Sequence, residues 1–457
     1  MIGSRQRIEK KLMAFRLIPR IPDLPLIRAY RGLFWNRIAF LEWMSAVGDD
    51  IVSGMFGPRE LILVKKPEYV HEVLVEQAEK FHKGREFSIY TRPLLGNGLL
   101  LSEDDLHKRQ RKLVAPAFVH RRIREYAKVM LDYTLRALGN WKDGETIDIS
   151  REMMRITLAI AGKTLFGAEV GEDADSIKKS LTYLMHYAEQ QLRIPLHIPL
   201  HISTPRNLRV RKAIAELDKI IFRMIAERRA SGEDVGDLLS MLLIARDEDD
   251  GSGMTDQQVR DEAMTIFLAG HETTGNATAW MWYLLAKNPN SYDRLIEEAK
   301  TLKSKPPEME DLGKLPYAMQ VFKEAMRLYP PAYIFVRSAI ADVIIDGYKI
   351  RKGTAMIISP YLMHRDPKNF PDPETFDPER FSPAREKQLP RHAYLPFGAG
   401  PRICIGNQFA MMEGHIMTVA IAQRVRFELL SDAAVATEPL ITLRPKGGIP
   451  VRVRTLD

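Results

Sequence analysis

The run from Thr255 to Lys287 contains no proline, and the next one, Pro289, stands just beyond its end. At 1.5 Å per residue an unbroken helix over this stretch is roughly 50 Å long, enough to cross a whole domain. Thr255 and Gln258 have the spacing of a capping box at its start. Around Met264 to Leu268 and again from Ala279 to Leu285 it is apolar on most faces, which predicts a central, buried helix with others packed around it. The fold class is therefore mainly α. The middle of the run reads Ala269-Gly270-His271-Glu272-Thr273-Thr274. Glycine costs about 1 kcal/mol against alanine inside a helix, and threonine hydroxyls compete for backbone carbonyls. A kink or bulge is expected there, with small Ala269 keeping the adjoining space open. A tolerated glycine and helix-packing threonines are the plainer alternative, but a carboxylate beside a hydroxyl in an apolar helix suits proton handling.

At 457 residues and 45% hydrophobic the chain can bury a large core. No linker is evident: the acid- and glycine-rich stretch from Arg246 to Gly253 runs directly into the long helix, so one domain over 1–457 is expected. No apolar run approaches the ~20 residues that span a bilayer, and the N-terminus lacks signal-peptide order. Together with an unpaired cysteine this predicts a cytoplasmic protein without a membrane anchor. The net charge is +8, with clusters at His107 to Lys112 and His120 to Arg124. Neither cluster sits in a nucleic-acid-binding pattern; a solvated helix face ranks first and a docking site for an acidic protein second. The echo Ile194-Pro195-Leu196-His197-Ile198-Pro199-Leu200-His201 pairs two histidines, but Pro199 breaks the geometry that would join them on a metal, leaving an apolar surface loop.

Cys404 is the only cysteine. It excludes an internal disulfide and any cysteine-rich metal site, so it is core filler, nucleophile or single metal ligand. It lies in Phe397-Gly398-Ala399-Gly400-Pro401-Arg402-Ile403-Cys404-Ile405-Gly406, a loop that opens into a predicted helix. Loop amides and a helix N-terminus both favour a thiolate, the form that binds iron. A second helix, Pro316 to Leu328, places Glu324 and Arg327 on one face, ahead of strand-like runs between Tyr333 and Ser359 and a proline-studded segment from His364 to Phe381. Such a segment needs internal polar ties, and a Glu-Arg pair meeting Arg380 would supply them. A third helix, Glu103 to Lys112, carries His107 and Arg111 on one face, an arrangement suited to a carboxylate-bearing group.

In motif order over nearly the whole chain these residues resemble the cytochrome P-450 family of haem-thiolate monooxygenases. The resemblance implies a triangular helical prism with a small mixed β region built from about Ile51 to Lys65, Tyr333 to Ser359 and the C-terminal strands. It implies haem b (iron protoporphyrin IX) ligated through Cys404, with Phe397, Gly398 and Gly406 of the same loop also binding the cofactor. His107, Arg111, Arg337 and Arg402 then bond the propionates, histidine standing where many members have tryptophan. Ala269 matches the oxygen-binding groove, Thr273 directs proton delivery with Glu272 as relay acid, and Glu324, Arg327 and Arg380 form the structural network behind the haem. Matching the family's pocket segments suggests Leu94, Leu95, Thr265, Ala269, Ala332 and Ile441 as the substrate wall. Mostly small and aliphatic, these suit a fatty acid, terpenoid or steroid-like skeleton.

The implied reaction uses O2. Its electrons come from a separate ferredoxin or flavodoxin-type donor with an NAD(P)H-dependent reductase, since the sequence ends at Asp457 without a fused module. Clustered positive charge on the cysteine-loop face would attract an acidic donor. A haem-thiolate isomerase or dehydratase, a peroxide-driven hydroxylase and a non-enzymatic haem sensor are the alternatives. The pairing of Glu272 with Thr273 weighs against the first and the last.

Overall fold

The computed structural model describes residues 16–21, 32, 36–56, 59–167, 179–180, 183–184, 186–188, 190–191, 198–303 and 305–456. The helices that build the site are α1 (Arg85–Leu95), α2 (Asp104–Val114), α3 (His120–Leu138), α4 (Ile149–Phe166), α5 (Pro205–Ser231), α6 (Leu238–Ile244), α7 (Asp256–Lys287), α8 (Pro316–Leu328) and α9 (Asn407–Ala422). The predicted central helix is α7, and its capping box is present: Gln258 N–H donates to Thr255 Oγ1 at 3.2 Å and Thr255 N–H to Gln258 Oε1 at 2.9 Å. Trp280, Met281 and Trp282 are fully buried on its C-terminal half, within a core shared with α8, α9 and Phe427.

The expected bulge is not formed at residues 269–274; α7 runs through them without a break or a π-turn. Thr273 and Thr278 donate to carbonyls one turn back at 2.7 and 2.8 Å without opening the ladder. Room beside the backbone comes from residue size instead, since a Cβ on Gly270 would meet nothing within 4 Å. Gly275 serves a different end. A Cβ there would lie 3.0 Å from Thr157 Oγ1 and 3.2 Å from Met154 Cα, so glycine lets α4 cross α7 closely, and Thr157 Oγ1 bonds the His271 carbonyl at 2.8 Å.

The β structure is more divided than expected. A five-stranded sheet runs in the order β1 (Ile51–Phe56), β2 (Arg59–Val64), β8 (Ala355–Ile358), β5 (Phe335–Ala339), β3 (Phe81–Lys83), with β2 and β8 parallel. The C-terminal strands form sheets of their own: β9 (Val425–Leu429) and β12 (Pro450–Thr455) join β4 (Thr146–Asp148), while β10 (Thr437–Pro439) pairs with β11 (Leu443–Pro445). Strands β6 (Val343–Ile345) and β7 (Tyr348–Ile350) make a separate hairpin. Short local runs cannot disclose which distant strand they pair with. Among the described residues no helix is long and apolar enough to cross a membrane. Residues 194–197 of the histidine echo lie outside the described residues; Ile198 and Ile202 are exposed, in keeping with an apolar surface loop.

Candidate active site

The Cys404 loop is shaped by glycines at positive φ. Gly400 has φ of 68°, and a Cβ on it would fall 1.8 Å from the Leu74 carbonyl oxygen, so no other residue fits without displacing that backbone. Gly398 has φ of 72°, and Cys404 N–H closes the loop on the Phe397 carbonyl at 3.0 Å. The Cys404 side chain is accessible although protein surrounds it on most sides. Burial pushes its thiol up, against the Gly406 amide and the charges of Arg111 and Lys83, which favour ionisation. The loop amide does favour the thiolate, as expected, but in the protein alone desolvation outweighs it. A coordinated metal ion restores ionisation, since it deprotonates a ligating thiol outright.

Cations crowd this sulfur. Lys83 of β3 stands directly across from Arg337 of β5 in an antiparallel register, an arrangement that is repulsive by itself. Burial holds the Lys83 ammonium well below its usual range, and Arg337, Arg402 and Arg111 lower it further. Burial brings Arg337 and Arg402 down to about 10, while His107 is pushed to about 4 by burial and by Lys83 and Arg111. Arg111 Nη1 bonds the Ile403 carbonyl at 2.9 Å, and Arg402 Nη1 the Ser102 carbonyl at 2.6 Å. Glu103 is the carboxylate paired with Arg402 here. A group bearing two carboxylates and a metal that takes one thiolate matches this excess of positive charge, so the donor set fits haem b. His107, Arg111, Arg337 and Arg402 are thus brought together as expected. Lys83 joins them, a residue sequence reasoning missed because only the β3–β5 pairing carries it there.

On α7, Ala269 is exposed and Gly270 and Thr273 are half-buried while the rest of 267–285 is buried, so this side of the helix borders open space. Thr265, Ala269 and Thr273 share one helical face. Leu94 and Leu95 are buried in a cluster that also contains Leu268 and packs against Ile405, next to the cysteine. Ala332 and Ile441 lie on two segments joined where Leu443 N–H donates to the Pro331 carbonyl at 3.0 Å. The hairpin bearing Ile441 is fixed to α7 through Glu272. Its Oε1 accepts from Thr442 Oγ1 at 2.6 Å and from Arg444 Nε and Nη2 at 3.0 and 2.6 Å. Glu272 is therefore engaged away from Thr273. Another buried carboxyl, Glu413 of α9, bonds Thr274, and burial pushes it up to about 8.

Behind the loop, Arg327 binds Glu324 through Nε and Nη2 at 2.7 and 2.8 Å, with both side chains fully buried. Arg327 also donates to the carbonyls of His364, Pro373 and Thr375, and Arg380 Nε lies 3.4 Å from Glu324. His364 carries the network onward: its Nδ1–H donates to the Arg327 carbonyl at 3.1 Å and its Nε2 accepts Leu395 N–H at 2.9 Å. Burial and the Arg327 charge push this imidazole to about 3, which keeps it neutral for that dual role.

Residues 24–449 match the cytochrome P450 family model. The chain belongs to the cytochrome P450 family. It is 37% identical to cyclooctatin synthase of Streptomyces melanosporofaciens, over 89% of either chain, and 33% identical to pentalenene oxygenase of Streptomyces avermitilis, over 89% of this chain and 88% of that one. A crystal structure of the cytochrome P450DA heme domain superposes with a TM-score of 0.87 at 26% identity, covering 97% of this P450 and 98% of that chain. The protein is accordingly a cytochrome P450 monooxygenase with the mainly α fold and haem b cofactor of its family.

Proposed function

We propose that this P450 hydroxylates a terpenoid-like hydrocarbon skeleton as one catalytic domain over 1–457, in the cytoplasm, with electrons from a separate acidic ferredoxin or flavodoxin-type donor and its NAD(P)H-dependent reductase. The observation that carries the reading is the accessible Cys404 sulfur beside an anion-deficient cluster of buried cations. The relatives named cyclooctatin synthase and pentalenene oxygenase support the substrate class, as does the aliphatic wall of Leu94 and Leu95.

Haem b held by Cys404 supplies the oxygen chemistry. The protein's own residues do the rest. His107, Arg111, Arg337, Arg402 and Lys83 hold the carboxylates of the cofactor. Leu94, Leu95, Thr265, Ala332 and Ile441 exclude water and orient the apolar substrate. Thr273 is the proton-handling hydroxyl; it donates to the Ala269 carbonyl at rest and turns toward the open side to deliver a proton. Glu272 serves as relay by leaving Arg444 and Thr442. Exposed Arg121 and Lys128 on α3 face a donor, whereas Lys108 and Lys112 already pair with Asp105 and Asp249.

The test is a reconstituted assay with spinach ferredoxin, its reductase and NADPH, screening cyclic terpene hydrocarbons for hydroxylated product. Product should require both O2 and the donor. Conversion of substrate without O2 or electrons would replace this reading with an isomerase or dehydratase. Product formed with peroxide alone, and none with the donor, would replace it with a peroxide-driven hydroxylase.

A further inference from the structure

Three consecutive charged residues of α7, Arg260, Asp261 and Glu262, are 3%, 6% and 0% exposed. Charged side chains are seldom buried unless each has something to hold. Here all three grip one segment. Arg260 Nη1 donates to the Leu94 carbonyl at 2.9 Å while its other nitrogens bind Asp218 of α5. Asp261 Oδ2 accepts Asn97 N–H at 2.8 Å, and Glu262 Oε2 accepts Leu99 N–H at 2.9 Å. From the far side, Gln110 of α2 donates to the Asn97 carbonyl at 2.8 Å. The segment lies flush on the helix: a Cβ on Gly96 would fall 2.0 Å from Asp261 Oδ1, and one on Gly98 2.4 Å from Thr265 Oγ1. It also carries the wall residues, since Leu94, Leu95 and Leu99 share one cluster with Leu268.

Glu262 differs from its neighbours. Its second oxygen, Oε1, is buried without a partner, as are Thr265 Oγ1 and Gln110 Oε1. Buried polar atoms of this kind are few in native proteins and mark places of strain, water or function. We propose that Glu262 is a positioning residue, a latch that seats residues 94–99 as the pocket wall when protonated and releases them to admit ligand when ionised. The proposal rests on the assignment of Leu94, Leu95 and Thr265 to the substrate pocket.

The electrostatics agree with that geometry. Burial pushes the Glu262 carboxyl up to about 7, the Leu99 amide opposing and Asp261 adding to the rise. Among the described residues Asp261 is the ionisable group whose field reaches it. Residues 96–101 and α6 carry no titratable side chain, Gln110 is the α2 residue bonded to the segment, and Arg260 is engaged by Asp218 and Asp261. For the sign, a carboxyl raised by burial favours the seated form at low pH, and that preference is lost as pH rises from the free value through the seated one. With 4.5 when released and about 7 when seated, the open-to-seated ratio rises about tenfold between pH 6 and pH 8.

The experiment uses haem-loaded enzyme and two readouts. Hydrogen exchange of the peptide covering residues 96–101, corrected for intrinsic rate, should lose about tenfold protection from pH 6 to pH 8 in the wild type. Glu262→Gln, neutral at every pH and still able to accept Leu99 N–H, should show a flat profile. Stopped-flow association of econazole, taken as the wild-type to variant ratio at each pH, should rise in parallel with opening. Identical exchange profiles in the two proteins overturn the latch. A pH-dependent exchange difference with a constant econazole ratio overturns its link to the pocket, whatever the substrate proves to be.

Discussion

Replacing Glu324 by glutamine tests how far burial sets the worth of an ion pair. Glu324 and Arg327 stand three residues apart on α8, as Asp105 and Lys108 do on α2, so helical spacing is held constant. Both side chains of the first pair are 0% exposed, whereas those of the second are 94% and 74% exposed. Removing one partner of a buried pair leaves an uncompensated charge and costs about 3–5 kcal/mol, while an exposed pair contributes about 0.2–1 kcal/mol. Glu324 also accepts Asp377 N–H at 2.9 Å and faces Arg380, which places Glu324→Gln in the upper part of that range. Asp105→Asn, on a fully solvated pair, should leave stability close to that of wild type.

Equilibrium urea unfolding, followed through the buried Trp280 and Trp282, compares the two variants with wild type. The double variant Glu324→Gln/Arg327→Met removes both charges and should recover part of the loss. Because His364 links Arg327 to Leu395, just ahead of the cysteine loop, Glu324→Gln should also release haem faster on dilution into apomyoglobin. The reasoning is refuted if Glu324→Gln lies within 1 kcal/mol of Asp105→Asn, or if the double variant is no more stable than the single one.

Thr273→Ala should leave haem binding intact but divert reductant into peroxide; an unchanged yield of product per NADPH would remove Thr273 from proton delivery. Arg444→Leu strips Glu272 of its ionic partner and should cost about 2–4 kcal/mol, read as a lower melting temperature, with disorder of the Ile441 hairpin visible by hydrogen exchange. His364 and His415 are pushed by burial to about 3 and about 4. Each stays neutral when folded and takes a proton below about 6.5 when unfolded, so each contributes a loss of stability as pH drops from 6.5 to 4, by up to about 1.4 kcal/mol per pH unit, opposed over the same window by Glu262 and Glu413, whose raised carboxyls favour the folded form at low pH. On going from pH 7 to pH 5 the urea midpoint of wild type should therefore drop relative to that of His415→Gln, and an identical pH dependence in the two proteins would contradict this.

Much of the architecture was legible locally. The bounds of α7 and its Thr255–Gln258 capping box follow from periodicity, caps and the absence of proline, as do those of α8. Such signals operate within one or two turns of chain, so a sequence displays them directly. The glycine-rich cysteine loop and the spacing of Glu324 with Arg327 were readable for the same reason, although spacing alone could not distinguish this pair from a solvated one.

Tertiary structure decided who meets whom and in what dielectric. Glu272 finds Thr442 and Arg444 at sequence separations of 170 and 172, and Arg402 finds Glu103 at a separation of 299. Lys83 joins the cations beside Cys404 only because β3 pairs with β5. The net direction at Cys404 was also decided at this level, since the local amide favours the thiolate as expected and burial by distant segments outweighs it. Short-range preferences are written along the chain; partner choice and desolvation arise only when remote segments close together.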